Sequence, residues 1–200
     1  MDFFEAVETR RSIKHYDTDA IMPQATFIKM MDAVMLSPTS YNIQHWRFIR
    51  VTDCNLRQDI QQAAWGQTQV VDASELVIIC ADMAAWQDRP ERYWANADED
   101  TRNVLVPMIE DFYAGKQQLQ RDEAMRSCGM AAQTMMLSAK SLGYDSGAMI
   151  GFDSDEVARL IKLPEGHVIA MMVTIGKAIA PAKPRGGQLT RDETLKTNQF

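Results

Sequence analysis

Two groups of basic residues stand apart in a chain whose 27 acidic side chains outnumber its 21 basic ones, for a net charge of −6. Arg10, Arg11 and Lys14 lie together around Ser12, and Lys183 and Arg185 flank Pro184. A phosphate monoester carries nearly two negative charges, and guanidinium forks match its oxygens bidentately. Cations also complement the end of a helix, so capping accounts for the first group equally well. A second kind of chemistry is offered by Ser37-Pro38-Thr39-Ser40-Tyr41-Asn42-Ile43-Gln44-His45-Trp46, rich in hydroxyls and amides and closed by an indole. Such side chains either bond their own backbone in a polar loop or wall a flat heteroaromatic ligand. Asn42, Gln67 and Gln69 add amides whose donors and acceptors complement the edge of a pyrimidine-like ring. A phosphate, a polar ring edge and an apolar ring face together describe a flavin mononucleotide, FMN.

Other chemistries find little support. There is no GxGxxG, no P-loop and no HExxH. In Gly143-Tyr144-Asp145-Ser146-Gly147 the serine sits one place late for a nucleophile elbow. His15, His45 and His167 are scattered and lack partners at metal-binding spacing, so no metal site is expected. Any reaction therefore belongs to a bound cofactor. The acidic balance and the lack of a basic stripe argue against nucleic-acid binding. No apolar run approaches the ~20 residues that span a bilayer, and Met1-Asp2-Phe3-Phe4-Glu5 does not open a signal peptide. Cys54, Cys80 and Cys128, odd in number and without a CxxC pair, read as reduced thiols of a cytoplasmic protein.

Asp2 caps a first helix running to Arg10, with Phe3, Phe4 and Val7 as its apolar stripe. Pro23 opens a second helix whose core face is Phe27, Met30, Met31, Val34 and Met35, and Ser37-Pro38 ends it. Phe48-Ile49-Arg50-Val51-Thr52 alternates like a strand, and a helix from Asn55 buries Leu56, Ile60, Ala63 and Ala64. Leu76-Val77-Ile78-Ile79-Cys80-Ala81, apolar on both faces, is a central strand. Residues 83–120 form an irregular, aromatic-rich helical excursion, followed by the longest helix, Asp122 to Leu142, stopped by Gly143. A glycine-punctuated strand or loop follows at Asp145–Phe152. Asp153 and Glu156 have the spacing of a capping box, and a last strand spans His167–Ile175. No linker interrupts this pattern before residue 176, so residues 1–200 read as a single domain, an α/β or α+β layer fold around one sheet. Its final stretch, 177–200, is broken by Pro181, Pro184, Gly186 and Gly187 and, if extended, reaches roughly 70 Å, far enough to wrap a neighbouring subunit.

The order of these pieces resembles the FMN-dependent nitroreductase family over essentially the whole chain. The matching segments are Arg10-Arg11-Ser12-Ile13-Lys14, Ser37 to Gln44, Gln67 with Gln69, Gly147-Ala148-Met149-Ile150-Gly151, and Lys183-Pro184-Arg185. The resemblance implies an α+β fold with helices around a mostly antiparallel sheet. It also implies an intertwined homodimer with two FMN sites between subunits. Arg10, Ser12, Lys183 and Arg185, with Arg11 beside them, would hold the phosphate, and Lys14 would sit near the N1 and O2 side of the ring. Pro38, Thr39, Ser40 and Asn42 of the partner subunit would line the ring. Gln67 and Gln69 would meet its pyrimidine edge, and backbone amides within Ala148, Met149, Ile150 and Gly151 would approach N5. The implied reaction is reduction of nitroaromatics or quinones by NADH or NADPH in ping-pong fashion, with no side chain as acid, base or nucleophile.

The sequence departs from the family pattern in places. His45 and Ala148 stand where proline is frequent, Ile150 where an acidic or small residue is common, and Gly66 where asparagine is. Two other functions share these residues: a protein that stores or senses FMN without turnover, and other flavin chemistry such as dehalogenation or flavin breakdown.

Overall fold

The computed structural model describes residues 1–200. Its elements in chain order are α1 (Phe3–Thr9), α2 (Gln24–Val34), β1 (Trp46–Arg50), α3 (Cys54–Ala63), α4 (Gln69–Asp72), β2 (Glu75–Asp82), α5 (Glu99–Tyr113), α6 (Gln117–Ser141), β3 (Asp145–Met149), α7 (Ser154–Leu160), β4 (His167–Gly176) and α8 (Arg191–Thr194). The four strands form one sheet in the order β1-β2-β4-β3, and every ladder is antiparallel. Of the α/β and α+β alternatives that the residue pattern leaves open, the α+β fold implied by the resemblance is the one observed.

The unbroken apolar run of β2 explains the layers. All eight of its residues are buried. Side chains alternate across a strand. Val77, Ile79 and Ala81 therefore enter a core under α2 and α6, while Leu76, Ile78 and Cys80 enter a second core with residues of α3 and α7. Residues 83–120 supply two short 3₁₀ turns and α5. They bury Tyr93, Ile109 and Tyr113 with Ile43 in a separate aromatic cluster. No helix is long and apolar enough to cross a membrane.

Several boundaries differ from the pattern reading. β1 begins at Trp46, because its pairing with β2 extends to Trp46–Ala81. α6 begins at Gln117, several residues before its apolar stripe. The Asp153 carboxylate accepts from the N–H groups of Asp155 and Glu156, but Glu156 turns to Arg159 instead of closing the box. The true capping box lies in the tail, where Thr190 and Glu193 start the short helix α8. The stripe on α1 has no partner in this chain, with Phe3 65% and Phe4 74% exposed.

Arg57 occupies an apolar-pattern helix yet is buried, because it closes backbone groups that the sheet leaves open. Its guanidinium donates to the carbonyls of Val51, Ala73 and Ser74 at 2.9, 2.5 and 3.0 Å. Burial pulls its pKa down, and the nearby Glu75 carboxylate opposes that. Arg57→Met strips three buried carbonyls of their donor, and an expected loss of about 3 kcal/mol of stability follows. Urea unfolding measures it, and an unchanged midpoint would contradict this account.

Candidate functional site

Helix α1 stops at Thr9 because Arg10 turns extended, with φ −61° and ψ 126°. The segment that follows is laid against β3. The Ile13 N–H donates to the Ser146 carbonyl at 3.0 Å, and the Tyr16 hydroxyl reaches Thr174 Oγ1 at 3.0 Å. Ile13 and Tyr16 are buried, whereas Ser12 and Lys14, on either side of Ile13, are exposed. Gly147 permits this approach, since a Cβ there would lie 2.7 Å from the Ile13 carbonyl oxygen. After β4 the chain returns along the same segment, with Asp17 N–H donating to Lys177 O at 2.8 Å and Ile179 N–H to His15 O at 3.3 Å. That return carries the second basic group to the first. Arg11 donates to the Lys183 carbonyl at 2.5 Å, and Arg185 donates to the carbonyls of Glu8 and Arg10 at 3.0 and 3.3 Å.

The result is a cleft of about 640 Å³ lined by residues 10–15 and 180–188. Five permanent cations border it, Arg10, Arg11, Lys14, Lys183 and Arg185, and no carboxylate does. Burial, and then the neighbouring charges of Arg185 and Arg11, lower the pKa of Arg10. Like charges held together without a counter-charge define a place for an anion.

A second group lies at the far end of β3. The Gln67 amide donates to the Gly151 carbonyl at 2.7 Å and to Ala64 O at 3.1 Å. Gln69, buried in α4, donates to Gln67 Oε1 at 2.9 Å. Both amides are therefore engaged in holding the turn after β3. Met149 is buried in the core, whereas Ala148 and Ile150 are exposed. The N–H groups of Ile150 and Gly151 donate to nothing within the chain. Over this turn stands a residue absent from the sequence reading. Trp65 is 71% exposed, has φ +56°, and brings its ring to 3.3 Å from where a Gly151 Cβ would be. Positive φ is uncommon for a bulky residue and marks a locally imposed backbone. An indole placed directly before Gly66 in a polar stretch was the available signal.

The loop before β1 is built from different contacts. Tyr41, Asn42 and Gln44 all have positive φ, at 49°, 57° and 55°. Asn42 Nδ2 donates to Tyr93 O at 2.8 Å, and the Tyr113 hydroxyl donates to Ser40 Oγ at 2.8 Å. Thr39 meets Ser127 and His45, while Pro38 is exposed. Burial holds His45 neutral, with its pKa lowered to about 4 against a weaker pull from Asp82. The sheet order puts this loop at the β1 edge and the Gly147–Gly151 turn at the opposite, β3 edge. Arg10, Arg11, Ser12, Lys14, Lys183 and Arg185 thus converge in one cleft, and Gln67, Gln69 and Gly151 in another group on the same edge. Pro38, Thr39, Ser40 and Asn42 are not brought to either.

Known proteins resemble this chain in sequence or in fold. A protein of Synechocystis sp. named DrgA is 50% identical over 187 residues, covering 92% of this chain and 89% of that protein. MhqN of Bacillus subtilis, provisionally named an NAD(P)H nitroreductase, is 31% identical over 192 residues, covering 92% and 93% of the two chains. A provisionally named nitroreductase of Exiguobacterium sibiricum, solved in complex with FMN, superposes with a TM-score of 0.92 at 26% identity, over 99% of this chain and 98% of that one. The sequence profile of the Nitroreductase family matches residues 7–177, and with the fold, the relatives and the segment order in agreement, the chain belongs to that family.

Proposed function

We propose that this protein is an FMN-dependent oxidoreductase that uses NADH or NADPH to reduce nitroaromatics, quinones or similar acceptors. The observation that carries the reading is the cleft with five cations and no carboxylate in a chain of net charge −6. An FMN phosphate fits that cleft by charge and by hydrogen-bonding capacity. The FMN-bound relative and the nicotinamide in the name of MhqN support the cofactor and the reductant.

Bound FMN would supply hydride-transfer chemistry between a nicotinamide and the acceptor. The chain's own residues bind and orient it. Arg10, Ser12, Lys183 and Arg185 would hold the phosphate, with Arg11 tying the tail segment to the first. Lys14 would offer a fixed positive charge to a reduced, anionic ring. The unengaged N–H groups of Ile150 and Gly151 are donors for the ring's reactive edge. Gln67 would border the pyrimidine edge, whereas Gln69, expected there from the sequence, is buried and spends its amide on Gln67, holding that turn from behind. Trp65 and Ile150 present exposed apolar surface at the same place. One cleft serving both reductant and acceptor makes the kinetics ping-pong.

The site is completed by a second copy of the chain, acting as a homodimer of single-domain subunits. Pro38, Thr39, Ser40 and Asn42 sit on the opposite sheet edge from the cationic cleft, so one chain cannot bring them to it. The exposed phenylalanines of α1 and the almost wholly exposed residues 181–200 supply surface for such an interface, with the tail wrapping the partner.

An absorbance spectrum of the purified protein, before and after anaerobic NADH or NADPH, tests this reading. Flavin bands that bleach on addition are expected. Bands that persist would move the protein to FMN binding or sensing. A colourless protein that takes up no FMN would overturn the site.

A further inference from the structure

His45 occupies a position where the family frequently has proline, and the chemistry above leaves it without a task. Alone among the three histidines it is buried, with 0% of its surface exposed. Its Nδ1 lies 3.3 Å from Thr39 Oγ1 and 3.2 Å from Ser127 Oγ, and those two hydroxyls are 2.8 Å apart. Its Nε2 has no partner. The ring meets Tyr113 edge to face at 6.3 Å, and the Tyr113 hydroxyl in turn bonds Ser40. The imidazole therefore touches Thr39 directly and Ser40 through one ring.

The proton count orders this cluster. One nitrogen of the neutral ring carries the proton, and Nε2 is the orphan whichever it is. A buried N–H without an acceptor is rarer and costlier than an unused lone pair, which places the proton on Nδ1. Nδ1–H then donates to Ser127, and Ser127, 0% exposed and with no other acceptor for its hydroxyl, donates to Thr39. The Thr39 proton is left over. Thr39 is only partly buried, so this is the one proton of the cluster left free to donate to a group outside it. With the proton on Nε2, by contrast, both hydroxyl protons would find acceptors inside the cluster, and Thr39 would offer only a lone pair.

We propose that His45 is a positioning residue of the ligand site: through Nδ1–H and Ser127 it locks the Thr39 side chain so that its hydroxyl donates to an acceptor atom of the bound flavin. The inference rests on the flavin reading above, with Thr39 reaching the flavin held by the partner subunit.

The test compares FMN affinity, by flavin fluorescence titration of the full-length protein, with melting temperature. Thr39→Val and His45→Leu should each weaken FMN binding about fivefold, the scale of one neutral hydrogen bond. The double variant should also lose about fivefold, since a missing hydroxyl leaves His45 nothing to hold. His45→Asn places an amide where Nδ1 was and should stay within about twofold of the parent. Leucine fills the space and removes the orphan nitrogen, whereas asparagine leaves a void. His45→Leu should therefore melt higher than His45→Asn while binding FMN more weakly. A core-filling histidine would give the same order in both readouts.

An additive double variant, or His45→Asn binding as weakly as His45→Leu, would overturn the proposal. Long-range ¹H–¹⁵N spectra of the unsubstituted protein read the tautomer without needing flavin or a variant. A proton on Nδ1 is expected, and a proton on Nε2 would refute the assignment. If the unsubstituted protein takes up no FMN at any concentration, the flavin reading itself fails, and the tautomer still decides whether Thr39 is a donor.

Discussion

Replacing Arg10 and Lys183 together by alanine will leave the protein folded and reduce its affinity for FMN by about two to four orders of magnitude. Each side chain offers charge-assisted hydrogen bonds of about 1.5–3 kcal/mol, and each 1.4 kcal/mol is about tenfold in Kd. Both line the cleft that no carboxylate enters. Removing them also relieves repulsion among the remaining cations, so stability should hold or rise slightly while binding collapses. Arg126→Ala is the control, because Arg126 pairs with Glu123 on the surface of α6, away from the cleft. The measurement is flavin content after purification, followed by titration with free FMN. A double variant that kept its full flavin complement would show that the phosphate is held elsewhere.

Ending the chain after Ala180 should have the largest effect of all, giving a flavin-free and largely monomeric protein. The shortened chain keeps the bridge between Tyr16 and Ala178 and the bond from Ile179 to His15, so the sheet and its edge remain intact. It loses Lys183 and Arg185, two of the five cations. It also loses Leu189, Leu195 and Phe200, apolar side chains that are 67%, 65% and 112% exposed in the single chain. Exposed apolar side chains on an extended tail are stabilised only by something that covers them. Light scattering gives the mass, and the visible spectrum gives the flavin. A truncated protein that remained a flavin-loaded dimer would remove the tail from both the interface and the site.

These expectations differ in where they come from. The layered sheet was legible in the sequence because β2 and β4 are nearly continuous apolar runs, and a strand buried on both faces has no other pattern. The extent of α6 toward its N-terminus was not legible, since Gln117 to Arg121 carry no apolar stripe and are helical by continuation. The cationic residues were legible as types. Their meeting was a tertiary matter, requiring a glycine at 147 to admit the Ile13 carbonyl and a return of the chain after β4 to lay Arg185 across Arg10.

The loop before β1 shows the same division. Its hydroxyls and amides announced a polar site, but local chemistry could not say whether they face backbone, core or ligand. Only the fold decided that Ser40 and Asn42 bond the aromatic cluster, that Thr39 bonds Ser127, and that His45 is sealed beneath them. Trp65 was invisible to periodicity because its exposure follows from a positive φ, which no spacing rule encodes. The sequence by itself determined which side chains could bind a phosphate and which strands must be central, since charge and hydropathy belong to residues. The structure alone decided that the cationic cleft and the hydroxyl-rich loop lie on opposite edges of one sheet, because strand order is set by long-range pairing, which no local stretch contains.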